Sequence, residues 1–295
     1  MNQQNHGNIS IFASVICLAL ATVFTHQILK NISPIVFAFY CFLFVTTITA
    51  IIKFIFFPKL NNFLKNRKSL KHIGLLNIYT AIDWVSYLAA LKYIDPSFTN
   101  ALVFGISPIA SLSISRTFNK LRIIYSILIL IILTLIACHY ITYLKVNHIH
   151  LLIGIFFALI SGIAVGGTTI SIKILSDQNM SIVNVITTRY IFTLIASLNI
   201  ASISKISLSI SLIDFLKILS ISILFVLLPS YLVQKGAKYI SAFNSAAIGA
   251  STPAFTYLFF IVINHSYSIV QLIYIIILWI VIIRLTIQKN NYSAM

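Results

Sequence analysis

Ser86-Tyr87-Leu88-Ala89-Ala90-Leu91-Lys92-Tyr93-Ile94 is answered half a chain later by Ser230-Tyr231-Leu232-Val233-Gln234-Lys235-Gly236-Ala237-Lys238-Tyr239-Ile240. Both stretches open on Ser-Tyr-Leu and close on Lys-Tyr-Ile. Two further echoes flank them in the same order. Asn31-Ile32-Ser33-Pro34 is matched by Asn179-Met180-Ser181, and Ser107-Pro108 by Thr252-Pro253. The offsets run from 144 to 148 in a chain of 295 residues. Any one echo is weak, but four in order mark an internal duplication.

The surroundings of these motifs place the duplication in a bilayer. Apolar residues make up 60% of the chain and charged residues 8%, with a mean hydropathy of +1.03. A soluble domain carries about a quarter charged residues. Polar punctuation separates ten apolar runs, near 9–28, 35–57, 72–93, 97–116, 121–143, 150–174, 181–201, 213–234, 241–263 and 268–288. Each is close to the roughly 20 residues a spanning helix needs. The runs are continuous rather than alternating, which argues against barrel strands. Residues 1–8 hold no Lys or Arg, so the first run lacks the basic flank of a signal peptide and is expected to be retained.

Five runs per half is an odd number, so the second half is expected to enter the membrane upside down relative to the first. The expected fold is therefore an all-α integral membrane protein of ten transmembrane helices, built as two inverted five-helix repeats, residues 1–145 and 146–295. Inverted repeats are the architecture of secondary transporters, with a site near the midplane between the halves.

The net charge of +16 follows the membrane and not a nucleic acid, because the Lys and Arg sit one to six at a time between runs rather than on one face. With the N-terminus inside, the cytoplasmic segments collect Lys53, Lys59, Lys65, Arg67, Lys68, Lys71, Arg116, Lys120, Arg122, Lys173, Lys235, Lys238, Arg284 and Lys289. The outer segments hold only Lys30, Lys92, Lys145, Lys205 and Lys217. The positive-inside bias places both termini in the cytoplasm of a multi-pass protein of the cell (inner or plasma) membrane.

The same motifs carry a family resemblance. Ser33-Pro34 entering the second run, Ala89-Ala90-Leu91-Lys92-Tyr93-Ile94 ending the third, Ser107-Pro108 within the fourth and Arg189 in the seventh resemble the EamA-type branch of the drug/metabolite transporter superfamily. The resemblance covers essentially the whole chain. It implies ten helices in two repeats, no cofactor, and a cavity lined by helices 1, 3, 4, 6, 8 and 9. In the first half the family's arginine position is Cys41, and Arg116-Thr117-Phe118-Asn119 stands where the family commonly has Gly-Glu.

Asp83 is the leading candidate for function. It lies mid-run, where a carboxylate costs about 2.5–3.5 kcal/mol on insertion scales and so should face a cavity or a partner. Asn77, Thr80, Asp83 with Trp84, and Tyr87 recur every three to four residues and share one helical stripe. One acid on a polar and aromatic stripe suits a cationic or zwitterionic substrate, or a proton-coupling site. Arg189 lies at similar depth, within about 3 Å at 1.5 Å per residue, so a fixed Asp83–Arg189 bridge is the structural alternative. Pro108 and Pro253 are expected to break matched helices near the site, with Asn100, Ser107, Asn244 and Thr252 beside them. Gly162, Gly166 and Gly167 with Thr168 and Thr169 form a small-residue face that suits close helix packing. His26 and Gln234 stand near the ends of the first and eighth runs, at either mouth of a cavity.

Other chemistries lose their residues. The four acidic side chains are Asp83, Asp95, Asp177 and Asp214, and there is no Glu, which removes HExxH zinc sites. No phosphate-cradling GxxxxGK[ST] is present, and Cys17, Cys41 and Cys138 form no CxxC. Gly105-Ile106-Ser107 does not extend to GxSxG, because Ile109 stands where the last glycine belongs. The expectation is a non-enzymatic secondary transporter for an amino-acid-like or other small charged solute, without cofactor or metal. Its rivals are a non-transporting membrane receptor or assembly component, and a flippase of a lipid-linked substrate. The fifth and tenth runs, almost wholly aliphatic, are expected to face lipid or the second subunit of a homodimer.

Overall fold

A computed structural model describes residues 3–57, 67–116, 120–143, 148–264 and 268–287. Lys59, Lys65, Lys145, Lys289 and Thr117-Phe118-Asn119 lie outside the described residues, as do the side chains of Arg67, Lys68, Lys120, Arg122, Cys138 and Arg284. Every regular element among the described residues is helical. The first half comprises α1 (Gln3–Leu29), α2 (Pro34–Phe56), α3 (Arg67–Tyr93), α4 (Pro96–Ser115) and α5 (Lys120–Tyr143). The second comprises α6 (His148–Asp177), α7 (Ile182–Arg189), α8 (Ile191–Ile203), α9 (Leu212–Ile221), a π-helical segment Ser222–Leu227, α10 (Leu228–Ala237), α11 (Ala242–Gly249), α12 (Thr252–Asn264) and α13 (Ile269–Ile287).

Among the described residues, eight stretches are long and apolar enough to cross a membrane: α1, α2, α3, α4, α6, α7 with α8, α9 through α10, and α11 with α12. The fifth and tenth runs are α5 and α13, whose described apolar stretches are the shorter Ile123–Ile136 and Ile269–Val281. One of the echoes marks helix starts, and the residues following the Lys-Tyr-Ile motifs mark two more. Ser33 and Ser181 occupy the N-cap positions of α2 and α7, and Asp95 and Ser241 those of α4 and α11. Asp95 accepts from the backbone N–H groups of Ser97 and Phe98, both at 3.0 Å, satisfying donors that a helix start leaves free. In the first turn of α9, which Ser211 caps, the Asp214 carboxylate accepts from Ser211 Oγ and pairs with Lys217. Asp177 pairs with Lys173 at 2.8 Å. These three carboxylates are thus occupied at helix ends, leaving Asp83 inside.

α6 packs along both α3 and α4, and α1 along α10. Glycines set the closeness of these contacts. A Cβ on Gly162 would meet the Val103 carbonyl at 2.8 Å, and one on Gly166 would meet Ala110 Cβ at 2.6 Å, so α6 and α4 touch backbone to backbone. Gly7 of α1 is closed on by Tyr239 and Ile240, and Gly154 of α6 by Tyr93 and Ile94. The repeated Lys-Tyr-Ile motif therefore seats a glycine of the opposite half in both places. One end of the bundle gathers the start of α1 and the end of α10. The other gathers the start of α6 and the end of α3.

The expected matched proline breaks are not observed. α4 runs through Pro108 without interruption, packed against α6 and α11. Among the described residues, the three mid-span interruptions fall in the second half. α7 and α8 part at Tyr190, whose φ of −104° and ψ of 3° leave the helical region. The π-helical segment ends just before Pro229, which cannot donate to the preceding turn. α11 and α12 part at Ala250-Ser251, and Pro253 lies in the first turn of α12. There Thr252 Oγ1 donates to the Gly249 carbonyl at 2.5 Å, replacing the bond that the Pro253 nitrogen cannot make.

Candidate functional site

A cavity of about 1110 Å³, counting the solvent at its opening, lies between the halves. Its wall draws on α1, α2, α3, α4, α6 and α7, on Tyr190 at the break after α7, and on the broken spans α9–α10 and α11, so the second and seventh runs join the six expected. The sequence candidates Asp83, Trp84, Tyr87, Ser107 and Arg189 are all on that wall. Asn77, Thr80, Asn100, Asn244 and Thr252 are not.

Asp83 is 8% exposed, and its Oδ1 accepts from Ser161 Oγ at 2.7 Å. That bond crosses from α3 to α6, hence from one half to the other. Arg189, also buried, ends α7; its Nε donates to Thr80 Oγ1 at 3.3 Å, and its guanidinium carbon lies 5.2 Å from the Tyr190 ring centroid. Asp83 and Arg189 share the cavity, but no nitrogen–oxygen contact within 4.0 Å joins them among the described residues. The fixed ion pair offered as the structural alternative is not formed. Each charge is held by a hydroxyl of a neighbouring helix while both remain on the cavity wall.

The other stripe residues have positioning roles. Asn77 Oδ1 accepts from the backbone N–H of Phe192 at 3.2 Å, one of the donors released where the chain breaks at Tyr190. Its Nδ2 donates to the Ile73 carbonyl. Asn77 therefore holds the break that ends in Arg189, and Thr80 aims the guanidinium. Asn100 joins four helices: Tyr87 OH donates to Asn100 Oδ1 at 2.7 Å, and Asn100 Nδ2 donates to Thr256 Oγ1 at 2.7 Å and Thr22 Oγ1 at 3.2 Å. Thr22 Oγ1 also lies 2.6 Å from Tyr87 OH. Asn244 sits half-buried in the first turn of α11, where its backbone N–H is capped by Ser241.

Trp84 packs edge-on against Phe42 and Tyr87, with ring centroids at 5.1 and 5.9 Å. Phe42 in turn stacks on Tyr190, which shares a hydrogen bond with Ser230. Three buried polar atoms on the cavity wall have no protein partner among the described residues: Trp84 Nε1, Ser107 Oγ and Thr168 Oγ1. Leaving such a group unpaired costs on the order of 1–3 kcal/mol, so together they are unused hydrogen-bonding capacity in the residues of the wall. Thr22, Ser161, Tyr190 and Ser230 were not legible as site residues, and Thr168 was legible only as part of a packing face. Isolated hydroxyls in apolar runs are usually helix-packing groups; Ser161 and Thr168 had one signal, their place beside the glycine face of α6. No group of three His, Cys, Asp or Glu side chains converges to hold a metal among the described residues.

Comparison with known proteins fits this arrangement. No match is found among curated proteins. A solved crystal structure aligns with 95% of this chain and 96% of its own, with a TM-score of 0.68 and 14% identity, a likeness of fold alone. The model of the EamA-like transporter family matches twice, over residues 5–143 and 152–287. Those two segments are the halves between which the cavity lies, and together they span nearly the whole chain, which therefore belongs to the EamA-like transporter family.

Proposed function

We propose that the protein is a secondary transporter that moves a small charged or zwitterionic, amino-acid-like metabolite by alternating access. The observation that carries this reading is one acid and one base, from opposite halves, on the wall of one cavity and more than 4.0 Å apart. Asp83 serves as counter-ion to a substrate ammonium, or as a proton site, and Arg189 meets a carboxylate. Trp84, Tyr87 and Ser107 supply neutral contacts, while Thr80 orients Arg189. A ligand carrying both charges replaces the ion pair the wall lacks, which recovers part of the cost of burying each group.

The two halves, 1–145 and 146–295, form inverted five-helix repeats in this account, with α5 and α13 completing ten spans. Support comes from the reciprocal seating of Gly7 on the end of α10 and Gly154 on the end of α3. The loop charges orient both termini toward the cytoplasm of the cell membrane. The exposed aliphatic faces of α5 and α13 (Ile127, Ile131, Ile273, Ile277) meet lipid or the second copy of a homodimer. The test is a thermal-shift screen of the purified protein at pH 6 and pH 8 with amino acids, amines, nucleosides and sulfonium metabolites. The reading expects stabilisation by a compound with an ammonium or sulfonium and a carboxylate. Stabilisation only by the uncharged compounds of the panel contradicts it.

A further inference from the structure

His26 and Lys173 occupy equivalent places in the two halves, and neither belongs to the cavity wall. His26 is in the last turn of α1, and its Nδ1 lies 2.8 Å from the Leu91 carbonyl in the last turn of α3. A carbonyl only accepts, so the ring donates from Nδ1. Lys173 is near the end of α6, and its Nζ donates to the Ala237 carbonyl, the last residue of α10, at 3.1 Å. Residues 26 and 173 differ by 147 and residues 91 and 237 by 146, inside the 144–148 offset of the duplication. The last carbonyls of a helix have no intrahelical partner, so both donors satisfy groups that the helix itself leaves free.

Their position relative to the cavity is equally paired. On α1 the wall ends at Thr25, the residue before His26. On α6 it ends at Ile172, the residue before Lys173. Leu91 leads directly into Tyr93-Ile94, which seat Gly154, and Ala237 into Tyr239-Ile240, which seat Gly7. The end of α3 is thus gripped by α1 and α6 at one end of the bundle, and the end of α10 by α6 and α1 at the other. His26 also packs edge-on to Phe260 of α12, with centroids 6.4 Å apart, while Lys173 pairs with Asp177.

We infer that His26 and Lys173 are the two gate latches of the transport cycle, one at each end of the cavity, released in turn as it opens to one side and then the other. The inference rests on the transport reading and names positioning residues rather than substrate contacts. Each latch is a single hydrogen bond, strong enough to bias a gate and weak enough to open with each cycle. The two differ in chemistry, an imidazole at one end and an ammonium at the other, so the gates need not be equally tight.

The experiment reads access to the cavity from each side. Leu18→Cys, on the α1 wall, is introduced into full-length protein whose Cys17, Cys41 and Cys138 are replaced by Ala. Labelling by a membrane-impermeant maleimide is timed in right-side-out and inverted membrane vesicles. His26→Ala should accelerate labelling about fivefold in one vesicle orientation and Lys173→Ala in the opposite one, the effect of losing one hydrogen bond from a closed state. Lys173→Arg, which keeps a donor, should label at the parental rate. His26→Phe and Lys173→Met keep side-chain bulk and are read in place of any alanine variant that fails to fold. Acceleration by both variants in the same orientation, or by neither, overturns the assignment. Substrate counterflow by the parent in the same vesicles reports on transport separately: its absence overturns the transport reading, whereas an active parent with unsided labelling overturns only the latches.

Discussion

Replacing Asp83 by Asn removes a charge while keeping the shape and the acceptor that Ser161 Oγ reaches at 2.7 Å. Asp83 and Arg189 are more than 4.0 Å apart, so at an effective dielectric of about 20 the attraction lost is at most about 4 kcal/mol. Against it stands the cost of holding a carboxylate at that depth, about 3 kcal/mol, which the neutral amide avoids. The net change in stability is therefore about 1 kcal/mol or less. Binding is affected differently, because a cationic ligand loses its buried counter-charge, a loss of about 2 kcal/mol or more, roughly thirtyfold in affinity. The assay pairs thermal unfolding of the purified proteins with ligand titration of the melting temperature. Asp83→Asn should melt close to the parent and lose most of the ligand-induced shift. A variant that melts far below the parent, keeps its ligand shift and is rescued by neutralising Arg189 would refute the reasoning, since that is the behaviour of a structural pair.

Trp84→Phe keeps the ring contacts with Phe42 and Tyr87 but deletes the unpartnered Nε1. Stability should be held or slightly raised in thermal unfolding, while ligand affinity falls about fivefold by titration. Gly166→Ala places a Cβ 2.6 Å from Ala110 Cβ and 2.9 Å from the Ser107 carbonyl, which forces α6 from α4 and should cost about 1–3 kcal/mol in a denaturation series. Asn100→Leu takes the acceptor from Tyr87 OH and should destabilise by about 2 kcal/mol. The rank order of ligands in a thermal-shift screen should not change, because Asn100 holds helices and does not line the cavity.

The sequence made the architecture legible because membrane helices write themselves as long apolar runs and because the duplication repeats its helix starts. Ser33 and Ser181 preceded the runs that form α2 and α7, whereas nothing in the two Lys-Tyr-Ile motifs foretold that each seats a glycine of the opposite half. The placement of Asp83, Trp84, Tyr87 and Arg189 followed from helical spacing and depth. Spacing along one helix cannot tell which of its polar residues face the cavity and which serve a neighbour, so Asn77 and Asn100 were grouped with the wall although each is committed to another helix. The proline argument failed in a related way. Pro108 and Pro253 are equivalent in sequence, but a proline only removes a donor, and packing decides whether the helix parts. Tyr190, a break without proline, left no local signal; its cause is tertiary, a ring stacked on Phe42 and bonded to Ser230.

The central claim is that one cavity serves both sides of a membrane, and counterflow tests it most directly. Protein reconstituted into liposomes is preloaded with an unlabelled ligand identified by the thermal-shift screen and diluted into a trace of the same ligand, radiolabelled. The account predicts transient accumulation of label inside, abolished in Asp83→Asn at equal protein incorporation. Saturable binding with no accumulation would contradict it and make the protein a receptor built on a transporter fold.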